Sequence, residues 1–200
     1  VRDLDYGDVL FHFFQDDYFD ALVRLEVSRD LNRIEHHSAE AELLSGGLYL
    51  SLGLHSEASR IFNRLLAGPV PQSVSDRAHF YLARIGYQRG YHAEAWRSLE
   101  RIRASLPGPL ESERRLLASN VLMAQGRFSE AVGALQQAAD DDWAPYARFN
   151  LGVAMVRSGS AEEGRRLLES VGTMAAESDE ERSLRDRANL ALGFAWLEQQ

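Results

Sequence analysis

Apolar side chains recur along the chain at helical spacing, in segments separated by short polar breaks. The most regular position is a small residue followed four residues later by a large apolar one. Steps of three and four residues place side chains on one face of an α-helix. The pattern therefore predicts five similar amphipathic helices, 33 to 37 residues apart, whose position pairs are Ala21 with Leu25, Ala58 with Phe62, Ala95 with Leu99, Ala131 with Leu135, and Gly164 with Leu168.

A tight turn is predicted before each of these helices. Five residues ahead of each small residue stand, in chain order, Asp16, Gly53, Gly90, Gly126 and Gly159. Glycine readily adopts the left-handed backbone conformation that ends many helices. We therefore expect another helix to end at each turn, so that every copy is an antiparallel helix pair.

The predicted first helices also carry a small residue at a fixed place, twelve residues before the small residue of the second helix. These residues are Gly46, Ala83, Ser119 and Gly152, with Gly193 in a last partial copy. Small side chains allow two helix axes to approach closely. The first copy has Val9 at this place, so its helix pair is predicted to pack less tightly.

This arrangement resembles the tetratricopeptide repeat, a helix pair of about 34 residues per copy. Pro107, five residues after Ile102, matches the proline that ends the family's repeat. The resemblance implies an all-α, right-handed α-solenoid of stacked antiparallel helix pairs, with about five repeats and one extra helix. We expect a single array over residues 1–200, with repeats at about 2–35, 38–72, 75–109, 111–144 and 145–178 and a partial repeat at 183–200.

The last predicted helix, from Ser183 to Glu198, has no partner helix after it. A lone first helix leaves its packing face open, so we expect the chain to be a fragment of a longer protein with further repeats. The open face around Trp196 and Leu197 also allows a second interpretation, in which the array self-associates or spaces other domains.

The first helices carry a second apolar stripe beside the one that faces their partner helix. In proteins that resemble this chain, first helices line the concave side of a superhelix, and that side holds peptides. The resemblance implies a groove with Arg84, Asn120 and Arg157 as polar anchors. Its candidate residues are Tyr6, Phe13, Leu43, Leu50, Phe80, Arg84, Tyr87, Leu116, Asn120, Met123, Tyr146, Phe149, Val153 and Arg157.

The alternative is that these side chains only pack one first helix against the next. The two interpretations predict different results for the combined substitution Phe80→Ala and Phe149→Ala. In a groove, the substitution weakens partner binding and leaves the helix content intact. In a core, helix content and binding are lost together.

The amino-acid composition excludes several classes of function. The net charge of −8 opposes nucleic-acid binding, which needs clustered basic residues against phosphate. All 22 basic residues are arginine and cysteine is absent, so lysine and thiolate catalysis are excluded. No two histidines have the i, i+4 spacing of a helical zinc site. The resemblance implies a noncatalytic protein–protein interaction scaffold or adaptor with a protein or peptide partner, and these exclusions agree with it, so we expect no cofactor or metal.

Targeting features are few. No apolar run approaches the roughly 18 residues of a membrane-spanning helix. The exclusive use of arginine favours a bacterial source. The start at Val1 and the lack of cysteine favour the bacterial periplasm over the cytoplasm.

Overall fold

A computed structural model describes residues 1–136 and 144–197. The described residues form eleven α-helices and no β-strand. The helices are α1 (Leu4–Phe13), α2 (Tyr18–Asp30), α3 (Ser38–Ser51), α4 (His55–Leu66), α5 (Gln72–Gln88), α6 (His92–Leu99), α7 (Pro109–Ala124), α8 (Phe128–Gln136), α9 (Ala144–Ser158), α10 (Ala161–Gly172) and α11 (Asp179–Leu197).

The chain divides into two compact units, Val1–Leu106 and Pro107–Gln200. Unit 1 contains the pairs α1/α2, α3/α4 and α5/α6, and unit 2 contains α7/α8, α9/α10 and the single helix α11. Within each unit, every helix packs against its neighbours in the chain, and first helices also contact the next first helix, as α3 does with α5 and α9 with α11. The prediction of an all-α solenoid of antiparallel helix pairs is confirmed. The assignment of residues 1–200 to one continuous array stays a prediction.

The five predicted turn residues all have a left-handed backbone. Their φ angles are 60° at Asp16, 76° at Gly53, 79° at Gly90, 73° at Gly126 and 103° at Gly159. In each hairpin the N–H of the residue after the turn donates to a carbonyl oxygen five residues back, at distances of 2.8 to 3.1 Å. This bond satisfies a carbonyl group that the helix end leaves free. Each second helix begins two residues after its turn residue, so the five hairpins share one geometry.

Small residues lie where the two helices of a pair cross. A Cβ atom added at Gly46 would lie 2.4 Å from the ring of Phe62, and one added at Gly152 would lie 2.9 Å from Leu168 and 3.0 Å from the carbonyl oxygen of Gly164. The small residues on the second helices, Ala21, Ala58, Ala95 and Ala131, are fully buried. A Cβ atom added at Gly193 would meet no atom within 4 Å, because no described helix covers this side of α11.

Helix capping differs from the sequence pattern in one place. Ser160 and Glu163 fit the Ser-x-x-Glu capping box, yet Ser160 makes no side-chain capping bond at the start of α10. The same pattern does form the box at the start of α11. There the N–H of Glu181 donates to Oγ of Ser178, at 3.1 Å, and the N–H of Ser178 donates to the carboxylate of Glu181, at 3.2 Å.

Two buried aspartates in unit 1 connect helix starts to distant loops. Asp3, just before α1, accepts hydrogen bonds from the backbone N–H groups of His36 and His37, at 2.9 and 3.0 Å, and contacts both imidazole Nδ1 atoms. Asp76, in the first turns of α5, accepts the N–H groups of Arg103 and Ala104, at 3.0 and 3.2 Å. Each carboxylate therefore satisfies backbone donors that precede or follow a helix pair.

Asp3→Asn is expected to lower the melting temperature at neutral pH, because the carboxylate accepts charge-assisted hydrogen bonds that an amide weakens. Burial alone would raise the pKa of Asp3, but the hydrogen bonds from His37 and His36 outweigh burial and hold it well below its usual range. A carboxyl group with a lowered folded-state pKa stabilises the fold above its unfolded pKa of about 3.9, and this contribution is lost as pH falls through the folded-state value.

Thermal denaturation followed by circular dichroism checks this expectation. The difference in melting temperature between the wild type and Asp3→Asn should be largest near neutral pH and shrink below about pH 4. Asp30→Asn, on the exposed end of α2, serves as the control and should change little. A difference for Asp3→Asn that stays constant with pH would contradict the assignment.

Candidate functional site

The first helices of unit 1 border an open cavity of about 390 Å³. Its walls come from α1, α3 and α5, with His55 at the start of α4. We call it the unit 1 cavity. It is lined by Tyr6, Leu10, Phe13, Phe14, Glu40, Leu43, Leu44, Gly47, Leu50, Ser51, His55, Arg77, Tyr81, Arg84 and Gln88. Five predicted groove residues therefore lie together here, namely Tyr6, Phe13, Leu43, Leu50 and Arg84.

One wall of the unit 1 cavity is apolar and rests on the core. Leu10, Phe13 and Leu44 are half-buried and pack against the core cluster that contains Tyr6. Tyr6 is only 8% exposed and Leu43 only 1% exposed, so both lie at the floor of the cavity. The ring of Tyr6 stacks on the imidazole of His37, with 5.2 Å between ring centroids. This wall is therefore continuous with the packed core of unit 1.

The opposite wall is polar and carries two arginines. Arg77 and Arg84 extend from α5, and Glu40 is the acidic residue on α3 that lines the same cavity. The Nε atom of Arg77 is buried and has no hydrogen-bond partner among the described residues. Burial raises the pKa of Tyr6, and the negative charge of Glu40 raises it further. The positive charge of Arg77 lowers it, but by less. The phenol is therefore neutral at pH 7, and the charged lining residues are two arginines and one glutamate.

Helix α5 presents a different face to the cavity from the one expected. The predicted residues were Phe80, Arg84 and Tyr87, but Phe80 is 1% exposed and packs in the core, with its ring 5.4 Å from that of Tyr81. Tyr87 is half-buried and contacts the ring of His92 instead. The burial of Phe80 favours the core interpretation for this residue, and its place in a groove stays a prediction.

The lining residues of α5 that sequence reasoning missed are Arg77, Tyr81 and Gln88. Together with Arg84 they follow the i, i+4, i+7, i+11 spacing of one helical stripe. A stripe traced at this spacing through Arg84 contains all three residues, whereas a stripe that begins at Phe80 does not.

The α7 candidates in unit 2 are half-buried. Leu116, Asn120 and Met123 all lie between core and surface. The side-chain amide of Asn150 on α9 donates to Oδ1 of Asn120, at 2.7 Å. Asn120 therefore joins two first helices in this structure, and its role as a ligand anchor stays a prediction.

The α9 candidates divide between core and surface. Phe149 is 9% exposed, belongs to the core of unit 2 and is covered by the guanidinium of Arg187, 5.0 Å from the ring centroid. Tyr146 packs against the same core.

Val153 and Arg157 border an open cavity of about 320 Å³ that Phe194 of α11 also lines. The guanidinium of Arg157 lies 5.3 Å from the ring centroid of Phe128.

Possible metal ligands come together once among the described residues. His12, Asp17 and Asp20, at the α1–α2 turn, have ligand atoms within 4.8 Å of one another. Both aspartates are exposed, and acidic groups at a surface turn often lie this close without a metal. The Nδ1 atom of His36 contacts the carboxylate of Asp3, at 3.0 Å.

Comparison with known proteins gives matches in structure only. No family model matches the sequence, and no curated protein matches it. Solved structures do match over most of the chain. YrrB, a TPR protein with an unusual peptide-binding site, is 18% identical with a TM-score of 0.66, and the match covers 94% of this chain and 89% of YrrB.

Two further solved structures match most of the chain in the same way. MamA from Desulfovibrio magneticus RS-1 is 18% identical with a TM-score of 0.65, over 84% of this chain and 90% of that one. The TPR-like repeats of a putative kinesin light chain from Podosopora anserina are 17% identical with a TM-score of 0.60, over 92% and 94%. The chain has the tetratricopeptide-repeat fold.

None of the described helices is both long and apolar enough to cross a membrane.

Phe80→Ala is expected to lower the free energy of unfolding by about 3–5 kcal/mol, as truncation of a fully buried aromatic side chain does. Phe13→Ala, at the half-buried wall of the unit 1 cavity, is the matched control and should have a smaller effect, because less apolar surface leaves the core. Urea denaturation followed by circular dichroism measures both. Equal effects for the two variants would show that Phe80 is not a core residue.

Proposed function

We propose that the chain is a noncatalytic interaction module and that unit 1 binds a peptide or helical segment of a partner protein in the unit 1 cavity. The observation that supports this most directly is the pairing of an apolar wall with two arginines in one open cavity. Aromatic and arginine side chains commonly supply most of the energy of a protein interface.

The ligand we propose has an apolar side chain beside an acidic one. The apolar side chain enters between Phe13 and Leu50, over the floor made by Tyr6. The acidic side chain pairs with Arg77, whose buried Nε is available to donate, and Arg84 adds positive charge at the same wall. An arginine can hold a carboxylate through two parallel hydrogen bonds, which fixes orientation as well as affinity. The peptide-binding site of YrrB, a protein of the same fold, supports a peptide as the ligand.

Selection from a random peptide display library, with the folded chain as bait, tests the proposal. We expect enriched peptides to combine an aromatic or aliphatic residue with Asp or Glu. Arg77→Gln should weaken the selected peptides about tenfold, since hydrogen bonds to charged groups contribute about 1.5–3 kcal/mol. Arg166→Gln, on the exposed face of α10, is the charge-matched control and should leave the affinity unchanged.

A selection without a consensus would contradict the proposal, as would peptides whose affinity is equal for Arg77→Gln and Arg166→Gln. Phe13→Ser supplies a second variant in the apolar wall, with helix content monitored by circular dichroism. Loss of peptide binding with retained helicity supports a binding role for this wall.

A second candidate function is self-association through α11. Leu190, Phe194 and Leu197 are 59% to 64% exposed and follow the i, i+4, i+7 spacing of one helical stripe, with the uncovered Gly193 beside them. A stripe of large apolar residues around a glycine suits close packing against a second helix. The occupant we propose in this case is α11 of a second copy.

Light scattering after size-exclusion chromatography tests self-association. If α11 pairs between copies, the molar mass should rise with concentration toward twice 22.5 kDa, and Phe194→Asp should return it to the monomer value. A monomer at all concentrations would remove this candidate.

A bacterial source and a periplasmic location complete the proposal. The sequence contains no cysteine, which is compatible with an oxidising compartment. Fractionation of cells that express the full-length protein tests the location, since recovery with cytoplasmic markers would contradict it.

A further inference from the structure

Unit 1 has a second polar cavity, on the opposite side of α5 from the unit 1 cavity. It has a volume of about 470 Å³ and is lined by Gln72, Ser75, His79, Glu100, Arg101 and Arg103. Gln72, Ser75 and His79 lie at i, i+3 and i+7, so they share one face of α5. Arg77, Tyr81 and Arg84 lie on the other face, at the unit 1 cavity. The two cavities therefore share no residue.

We infer that this second cavity binds a phosphate group, either as the free ion or as an ester. All six lining residues are polar or charged, so the cavity offers no apolar wall to a hydrophobic ligand. Two guanidinium groups and a serine hydroxyl are the donors that proteins use for phosphate oxygens. We call it the phosphate cavity.

The two arginines are available for a ligand. Neither Arg101 nor Arg103 makes a side-chain hydrogen bond or ion pair with another described residue, and Arg101 faces His79. The one acidic side chain in the lining, Glu100, accepts a hydrogen bond from the indole N–H of Trp96, at 2.8 Å. The lining of the cavity therefore carries two guanidinium charges against one carboxylate, and this excess of positive charge favours an anion.

His79 supplies an independent observation. It is 8% exposed and lines the phosphate cavity, and its Nδ1 atom has no hydrogen-bond partner among the described residues. A buried polar atom without a partner is unfavourable unless a ligand or an ordered water satisfies it. Burial lowers the pKa of His79, and the positive charge of Arg101 lowers it further. The negative charge of Asp76 raises it, but by less. The imidazole is therefore neutral at pH 7.

The cavity is held in place before any ligand binds. Asp76, beneath it, accepts the backbone N–H of Arg103 at 3.0 Å and the side-chain amide of Gln72 at 2.7 Å. These bonds fix the segment that follows α6 against the start of α5. Asp76 itself is fully buried and does not line the cavity. Preorganisation of this kind reduces the entropy lost on binding.

Calorimetric titration at constant ionic strength tests the inference, with inorganic phosphate as one probe and O-phosphoserine as the other. We expect saturable binding of at least one probe. Binding of O-phosphoserine alone would identify an esterified phosphate as the ligand, and binding of both would show that the phosphate group suffices. The double variant Arg101→Gln/Arg103→Gln should weaken binding tenfold or more, from the loss of about two charged hydrogen bonds.

The control is Arg60→Gln/Arg166→Gln, which removes the same charge at two exposed sites outside the cavity. It should change the affinity less than about twofold, the range expected for screened surface charges. An equal loss in both double variants would show a general charge effect and overturn the inference. Saturation by neither probe would overturn it as well.

The imidazole signals give a readout that folding alone does not move. The chain has six histidines, and His79 can be assigned by its loss in His79→Gln. Bound phosphate should raise the pKa of His79, because a nearby anion favours the protonated ring. A pH titration by NMR that shows the same pKa for His79 with and without phosphate would contradict the inference.

Discussion

The fold depends on the close approach of two helix backbones in each hairpin. Gly46 leaves room for the ring of Phe62, and Gly152 lies directly against Gly164. Any side chain at these two glycines would occupy space that a core atom already fills. Since a second helix must also accept the next first helix, the packing of each hairpin decides where the following one can lie. The left-handed turn residues bring the two helices to this crossing.

That constraint also separates the surfaces available for binding. Once one face of α5 packs on α6 and another on the core, its two remaining faces border different cavities. Arg77 and Arg84 border the unit 1 cavity, while His79 borders the phosphate cavity. One helix can thus carry two chemically different sites, an apolar and basic one for a peptide and a wholly polar one for an anion.

The hairpins could be predicted from the sequence because their signals are local. A glycine with a small residue five positions later is visible at every turn but the first, where Asp16 replaces glycine. The candidate site was less predictable. Phe80 and Tyr81 are adjacent aromatic residues, and only tertiary packing decides which of them is buried. Asp3 contacts His36 across 33 residues of sequence, and no periodicity reports such a contact. The two Ser-x-x-Glu patterns are equivalent in sequence, yet only Ser178 and Glu181 form the bonds.

Adjacent glycines in α3 allow the most direct test of the central claim. Gly47 has no atom within 4 Å of a Cβ position, whereas Gly46 faces the ring of Phe62 at 2.4 Å. Urea denaturation of the two alanine variants should give opposite signs. Gly47→Ala is expected to raise the free energy of unfolding by about 0.5–1 kcal/mol, as an alanine does within a helix, and Gly46→Ala to lower it by about 1–3 kcal/mol through overpacking. If Gly46→Ala stabilises the protein as much as Gly47→Ala does, the close helix crossing does not govern this fold.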